Sequence, residues 1–288
     1  MSEQDIDATR APLMDHLIEL RRRLMWSVVA LFVTFLICFY FAQPIFNFLA
    51  EPLVHVWGPD NHRRMIYTAM HEQFFTQVKV AFFAAFCFSF PIIAGQVYAF
   101  VAPGLYKHEK SAFVPFLIAT PVLFTMGAAF VYYFVLPVAW QFFLGFEQSG
   151  ADGGPVIQLE AKVSEYLSLI MQLILAFGIS FELPVILTLL VKAGITSSRG
   201  LREKRRYAIV LAFIAAAILT PPDPLSQIGL AVPIILLYEI AIWTSLLVEK
   251  KRAEQDAEIA REAGIEDDDG EEWSDPDSDK AEDGKDKG

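Results

Sequence analysis

Residues 166–191 read YLSLIMQLILAFGISFELPVILTLLV, and Glu182 is the only charged side chain among them. Wound as a helix at 1.5 Å per residue, the run reaches about 39 Å, longer than the roughly 30 Å hydrocarbon core of a bilayer. Hydrocarbon offers the backbone no hydrogen-bond partner, so a run this long and apolar predicts a membrane-spanning helix. Glu182 lies about 24 Å down that helix if it is straight. A carboxylate at such depth costs on the order of 3 kcal/mol to insert unless it is paired, protonated or wetted. It is therefore a candidate functional acid, with a hydrogen-bonded acid holding helices together as the alternative. Pro184 follows closely and cannot donate to the helix ladder, so a bend or a lined cavity is expected beside Glu182.

Further apolar runs lie at 24–42, 80–102, 112–140, 207–219 and 228–248. The run 112–140 carries Pro115, Pro121 and Pro137 and is expected to bend. The run 207–219 would make only about 20 Å of helix, so it is a short span or a buried core helix. Thr220-Pro221-Pro222-Asp223-Pro224 leads directly into the last run and favours the short span. A short final hairpin, spans five and six, would thin the bilayer locally. Glu239, within the sixth run, is a second candidate acid, with helix packing as its alternative. Asp223 is a third, although a turn-forming Asp fits equally well. The expected fold class is all-α, a polytopic membrane protein with six transmembrane helices.

The distribution of charge supports this count. The chain has 288 residues and a formal net charge of −11, but residues 253–288 alone hold 16 Asp/Glu against 4 Lys/Arg. The rest of the chain is close to neutral, so the acidity belongs to the tail. With few large apolar side chains and many charges, residues 249–288 are read as a disordered, solubilising tail. Up to Arg252, six spans would put 15 Lys/Arg on the side of the termini and 4, Arg63, Arg64, Lys79 and Lys162, on the other. The positive-inside rule then places both termini in the cytoplasm. Five spans would separate the termini and break the bias. Residues 1–23 are an amphipathic cytoplasmic segment, 24–248 the membrane domain.

Within that first segment Leu13, Leu17, Leu20 and Leu24 share one helix face, and His16, Glu19 and Arg23 share another. Such a helix would lie along the inner surface and lead into span one. The basic Arg21-Arg22-Arg23 resembles the start of a cleavable signal, but the apolar run is too long and lacks a small-residue cleavage site, so it is expected to remain as an anchor. Glu19 could simply pair with Arg23 one turn on. Glu109, the only carboxylate between spans two and three, could likewise pair with Lys107 or Lys110. Both carboxylates are placed at the cytoplasmic interface, where together they could grip a pair of guanidinium groups through bidentate bonds.

Catalytic signatures such as HExxH, GxSxG or a Walker loop are missing, and all five histidines fall outside the spans. Cys38 and Cys87 lie in apolar runs and read as buried small hydrophobes, with no metal site or disulfide framework. No enzymatic activity, cofactor or nucleic-acid partner is expected. A proton-coupled small-solute transporter would account for Glu182 and Glu239 but not for Glu19 with Glu109.

His16-Leu17-Ile18-Glu19-Leu20-Arg21-Arg22-Arg23 resembles the N-terminal signature of the TatC family, the polytopic subunit of the twin-arginine protein translocase. Phe100-Val101-Ala102-Pro103-Gly104-Leu105-Tyr106-Lys107-His108-Glu109 is similar to that family's first inner loop. Phe177-Gly178 with Phe181-Glu182-Leu183-Pro184 is similar to its fourth span, and Thr220-Pro221-Pro222-Asp223 to its last outer turn. Four motifs in order, from about Leu13 to Val248, carry the resemblance. Ala69 stands where some relatives have an acid, and Glu72 precedes Phe74-Phe75 as in others.

What the resemblance implies is a receptor in the bacterial inner membrane for the signal peptides of folded cargo. Glu19 and Glu109 would hold the two arginines, with His16, Leu20, Arg21, Phe100, Leu105, Tyr106 and Lys107 completing the surface. Glu182 would lie in a concave membrane face, and Pro52 and Tyr133 match positions that matter in the family. The implied partners are twin-arginine signal peptides, single-span TatA-like and TatB-like subunits and membrane lipid, in a hetero-oligomer with several copies. The protonmotive force would drive export.

Overall fold

The computed structural model describes residues 3–58, 64–105, 114–148, 155, 157–219 and 224–262. Two compact units divide the chain, Met1–Val248 and Glu249–Gly288. Among the described residues the fold is helical, with no β-sheet and only two isolated bridges. In chain order the helices are α1 (Glu3–Tyr40), α2 (Ala42–Trp57), α3 (Glu72–Leu105), α4 (Val114–Phe130), a π segment (Val131–Val135), α5 (Leu136–Leu144), α6 (Val163–Ser180), α7 (Leu183–Lys192), α8 (Ser198–Glu203), α9 (Arg205–Leu219) and α10 (Pro224–Glu262).

Five helical stretches are long and apolar enough to cross a membrane: His16–Tyr40, Glu72–Phe100, Pro115–Leu144, Val163–Lys192 and Gln227–Gln255. They correspond to expected spans one, two, three, four and six. The expected fifth is α9, whose 15 residues give about 22 Å of helix. The expectation of a short sixth helix is corrected: α10 is 39 residues long. Beyond Val248 come Lys250-Lys251-Arg252-Ala253-Glu254-Gln255, all good helix formers, with Lys250 and Glu254 paired at 3.8 Å one turn apart. Residues 249–262 are accordingly helical, where composition alone predicts disorder; the rest of the tail lies outside the described residues. The amphipathic N-terminal segment is likewise no separate helix, because α1 runs unbroken from Glu3 to Tyr40. No glycine or proline between Met14 and Tyr40 interrupts it.

Prolines act where the sequence places them. Pro184 sits in the first turn of α7 and separates it from α6 at Phe181-Glu182. Pro137 opens α5, and the turn before it widens to the π segment, where the Leu136 N–H reaches back to the Val131 carbonyl. Pro121 is carried inside α4 without a break.

Pro52, inside α2, has a less visible effect. Its missing N–H leaves the Phe48 carbonyl without a helical donor. The Tyr132 hydroxyl, from the π segment, donates to that carbonyl at 2.8 Å, and its ring stacks on Phe48 with centroids 4.5 Å apart. Tyr166 of α6 donates to the next carbonyl, Leu49, at 3.0 Å. Three elements are thereby tied together around a core that includes Leu49, Leu53, Val80, Val131, Leu136, Leu167, Ile170 and Phe177.

Helices α4 and α6 approach closely at two glycines. A Cβ on Gly178 would stand 2.6 Å from the Phe124 ring, and one on Gly127 would stand 2.7 Å from the Phe177 carbonyl oxygen. Small residues let apolar helices meet backbone to backbone in a membrane. Helices α1 and α3 pack through Cys38, Ala81, Ala84 and Ala85 on the same principle, joined by Ala42 at the start of α2. Both cysteines are free.

Candidate functional site

The first half of α1 and the last turns of α3 meet at one end of the bundle. There the His16 ring stacks on Phe100, centroids 4.3 Å apart and planes 23° from parallel. Glu19 is one turn further along α1 on the same face as His16. Its Oε1 accepts from Arg23 Nε at 3.0 Å and also from Nη2. Leu20 and Arg21 are exposed beside it. The structure thus brings His16, Glu19, Leu20, Arg21 and Phe100 into one neighbourhood. Leu105 is the last residue of α3. Tyr106, Lys107 and Glu109 lie outside the described residues, as does Asp223. The arrangement is a carboxylate presented near an aromatic–imidazole stack at a helix-bundle end, which suits recognition of a cationic group.

Glu182 caps the break between α6 and α7 and is only 4% exposed. Neither of its carboxylate oxygens has a hydrogen-bond partner among the described residues. Thr120, buried on α4, is bonded instead to the Tyr98 hydroxyl at 2.9 Å. A buried carboxyl without partners is costly, which keeps Glu182 the leading candidate acid within the helices.

Glu239 proves different. Its carboxylate meets Arg205 Nη2 at 2.6 Å, joining the first residue of α9 to the middle of α10. The two acids look alike in sequence, yet Glu239 is partnered and partly exposed. Pro52 is buried in α2 as described, and Tyr133 is 69% exposed beside the inward-facing Tyr132.

Three features escape reading from sequence alone. Tyr132 and Tyr166 find backbone carbonyls that only the fold brings near them. Glu72, at the start of α3, accepts from the Thr68 N–H (2.9 Å), the Thr68 hydroxyl (3.1 Å), the Ala69 N–H (3.3 Å) and the Ser164 N–H (3.3 Å). It ties the segment before α3 to the start of α6, beside the Ile66–Lys162 bridge. The signal was an acid in a first helical turn preceded by Thr, a capping pattern that can be found. Thr188 and Thr244 share a 2.7 Å hydroxyl contact between α7 and α10. Buried hydroxyls of this kind have no sequence signature.

Residues 15–233 match the family model described as Sec-independent protein translocase protein (TatC). The chain is 54% identical over 264 residues to the Sec-independent protein translocase protein TatC of Magnetococcus marinus, covering 90% of this chain and 94% of that one. To the protein of the same name from Escherichia coli K12 it is 43% identical, covering 81% of this chain and 88% of that one. Among solved structures it resembles a crystal structure of the twin-arginine translocase receptor TatC. The TM-score is 0.71 and the identity 37%, over 81% of this chain and 99% of that one.

Proposed function

The chain belongs to the TatC family of Sec-independent protein translocase proteins, and we propose that it is the receptor that docks twin-arginine signal peptides. Family membership makes it a multi-pass membrane protein of a protein-transport system. The observation that carries the finer reading is Glu19, a carboxylate on α1 beside the His16–Phe100 stack and close to where α3 ends. Glu109 follows α3 by four residues and supplies the second carboxylate. Two carboxylates match two guanidinium groups, each able to form paired N–H···O bonds. His16, Leu20, Arg21, Phe100, Leu105, Tyr106 and Lys107 complete the surface.

In this reading the chain sits in the bacterial inner membrane with six spans, α9 being the short fifth, and with both termini in the cytoplasm. It assembles with single-span TatA-like and TatB-like subunits, and the protonmotive force drives export of folded cargo. Glu182 is the intramembrane acid, and Pro52 and Tyr133 match positions that matter in the family.

A twin-arginine peptide with a photoreactive group beside its arginines labels the loop after α3 in the intact protein. Failure to label that loop removes the reading. Glu109→Gln weakens binding of the Arg-Arg peptide by far more than that of a Lys-Lys version, since the lost contact is bidentate. Equal losses, measured as Kd, count against it.

A further inference from the structure

The carboxylate offered by α1 already holds a guanidinium. Arg23 reaches back one turn and brings both Nε and Nη2 onto a single oxygen, Oε1 of Glu19. The two side chains are 20% and 28% exposed. The other oxygen, Oε2, takes no hydrogen bond among the described residues. We propose that Arg23 is an internal competitor that occupies Glu19 until a ligand cation replaces it, and thereby holds down the affinity for arginine- and lysine-bearing peptides alike. The inference rests on the reading of Glu19 as a signal-peptide ligand.

The geometry supplies the reason. An unrestrained guanidinium binds a carboxylate through two parallel bonds, one to each oxygen. Arg23 is tethered four residues along the same helix and lands side-on, both donors on one oxygen. An incoming arginine has no such tether and can use both oxygens, so exchanging it for Arg23 improves the contact. A lysine is a point charge without a fork. It would replace two N–H contacts from Arg23 with one, so lysine gains less from the exchange than arginine does, while the cost of displacing Arg23 is the same for both. The helix itself does not depend on where the Arg23 side chain lies: the Arg23 carbonyl still accepts from the Ser27 hydroxyl at 3.1 Å. Arg22 carries the same charge next door but makes no hydrogen bond or ion pair to Glu19 among the described residues. It is therefore the control for charge alone.

The test measures Kd of fluorescent Arg-Arg and Lys-Lys signal peptides on the full-length protein in nanodiscs, for the wild type and for Arg23→Gln, Arg23→Lys, Arg22→Gln and Glu19→Gln. Helicity by circular dichroism and a single gel-filtration peak establish that each variant is folded. Arg23→Gln should tighten Arg-Arg and Lys-Lys binding by the same factor, about two- to fivefold, the scale of a partly exposed pair, because either ligand must displace Arg23. The ratio of the two affinities stays where it was. Arg23→Lys, which keeps the charge but loses the fork, tightens both by a smaller factor. Arg22→Gln leaves both affinities near wild type. Unchanged affinities in Arg23→Gln, or an equal tightening in Arg22→Gln, overturn the competition. Glu19→Gln separates the two levels. If it leaves Arg-Arg binding intact, Glu19 is no ligand and both ideas fall. If it weakens Arg-Arg binding while Arg23→Gln moves nothing, only the competition falls.

Discussion

Glu182 and Glu239 are indistinguishable by sequence pattern, each a lone carboxylate deep in an apolar run. The fold separates them because Arg205, the first residue of α9, lies within 2.6 Å of Glu239, whereas Glu182 has no cationic partner among the described residues. Sequence spacing cannot see that difference, since residues 205 and 239 meet only when α9 and α10 fold back on each other. Their pair is half-exposed, so a double-mutant cycle of Arg205→Gln and Glu239→Gln should return a coupling of about 0.5 kcal/mol in detergent thermal melts. A coupling several times larger would mean the pair is far better shielded than its exposure indicates. Glu182→Gln should leave peptide docking unchanged and lower transport of folded cargo, because the docking carboxylates come from α1 and from the segment after α3. Wild-type transport in that mutant would reduce Glu182 to a packing acid. Glu19 was legible as a candidate, and so was its pairing with Arg23; the side-on geometry was not, because it depends on which rotamers α1 allows.

Element by element, the apolar runs and prolines gave away most of the architecture. Pro184 marks the α6–α7 break and Pro137 the π segment, in keeping with what a missing N–H must do to a helix. Pro121 does neither, so a proline predicts lost hydrogen bonding more securely than it predicts a kink. The consequence of Pro52 was invisible, since the hydroxyl that uses the freed Phe48 carbonyl comes from residue 132. This exchange is testable. Tyr132→Phe should lose about 1 kcal/mol of stability in the wild type, the worth of the hydroxyl's bond to the Phe48 carbonyl, with the Glu51 carboxylate at 3.2 Å as a second acceptor. In a Pro52→Ala background the Phe48 carbonyl regains a helical donor, and the same Tyr132→Phe change should cost less, the Glu51 contact alone remaining. Additive losses would show that Tyr132 does not depend on the proline. Gly178→Ala should separate α4 from α6, costing about 1–3 kcal/mol, because its Cβ would fall 2.6 Å from the Phe124 ring.

At the scale of the whole molecule, the shortness of α9, proposed as the fifth span, is the least ordinary feature. Its 15 residues reach about 22 Å, against roughly 30 Å of hydrocarbon, while α10 beside it is 39 residues long. The short run was plain in the sequence; the length of α10 was not, because charged residues such as Lys250 and Glu254 read as tail although they favour helix. A helix too short for its bilayer is accommodated by local thinning, and thinning lowers the barrier to a folded cargo. If α9 is short for that purpose, lengthening it should restore the bilayer and impair export without harming the fold. Inserting four apolar residues, Leu-Ala-Leu-Ala, between Ile214 and Ala215 adds about 6 Å, close to one full turn, and so keeps most of the register of Ala212 and Ala216. Arg-Arg peptide affinity should stay near wild type, since α9 supplies none of the docking residues, and the melting temperature should fall only modestly, since the insertion keeps Ala216, Phe213 and Leu219 close to the face they pack against the core. Export of a folded reporter should fall severalfold. Unimpaired export with the longer helix would mean that α9 is short for reasons of packing, and that the cargo path does not run through a thinned membrane at this hairpin.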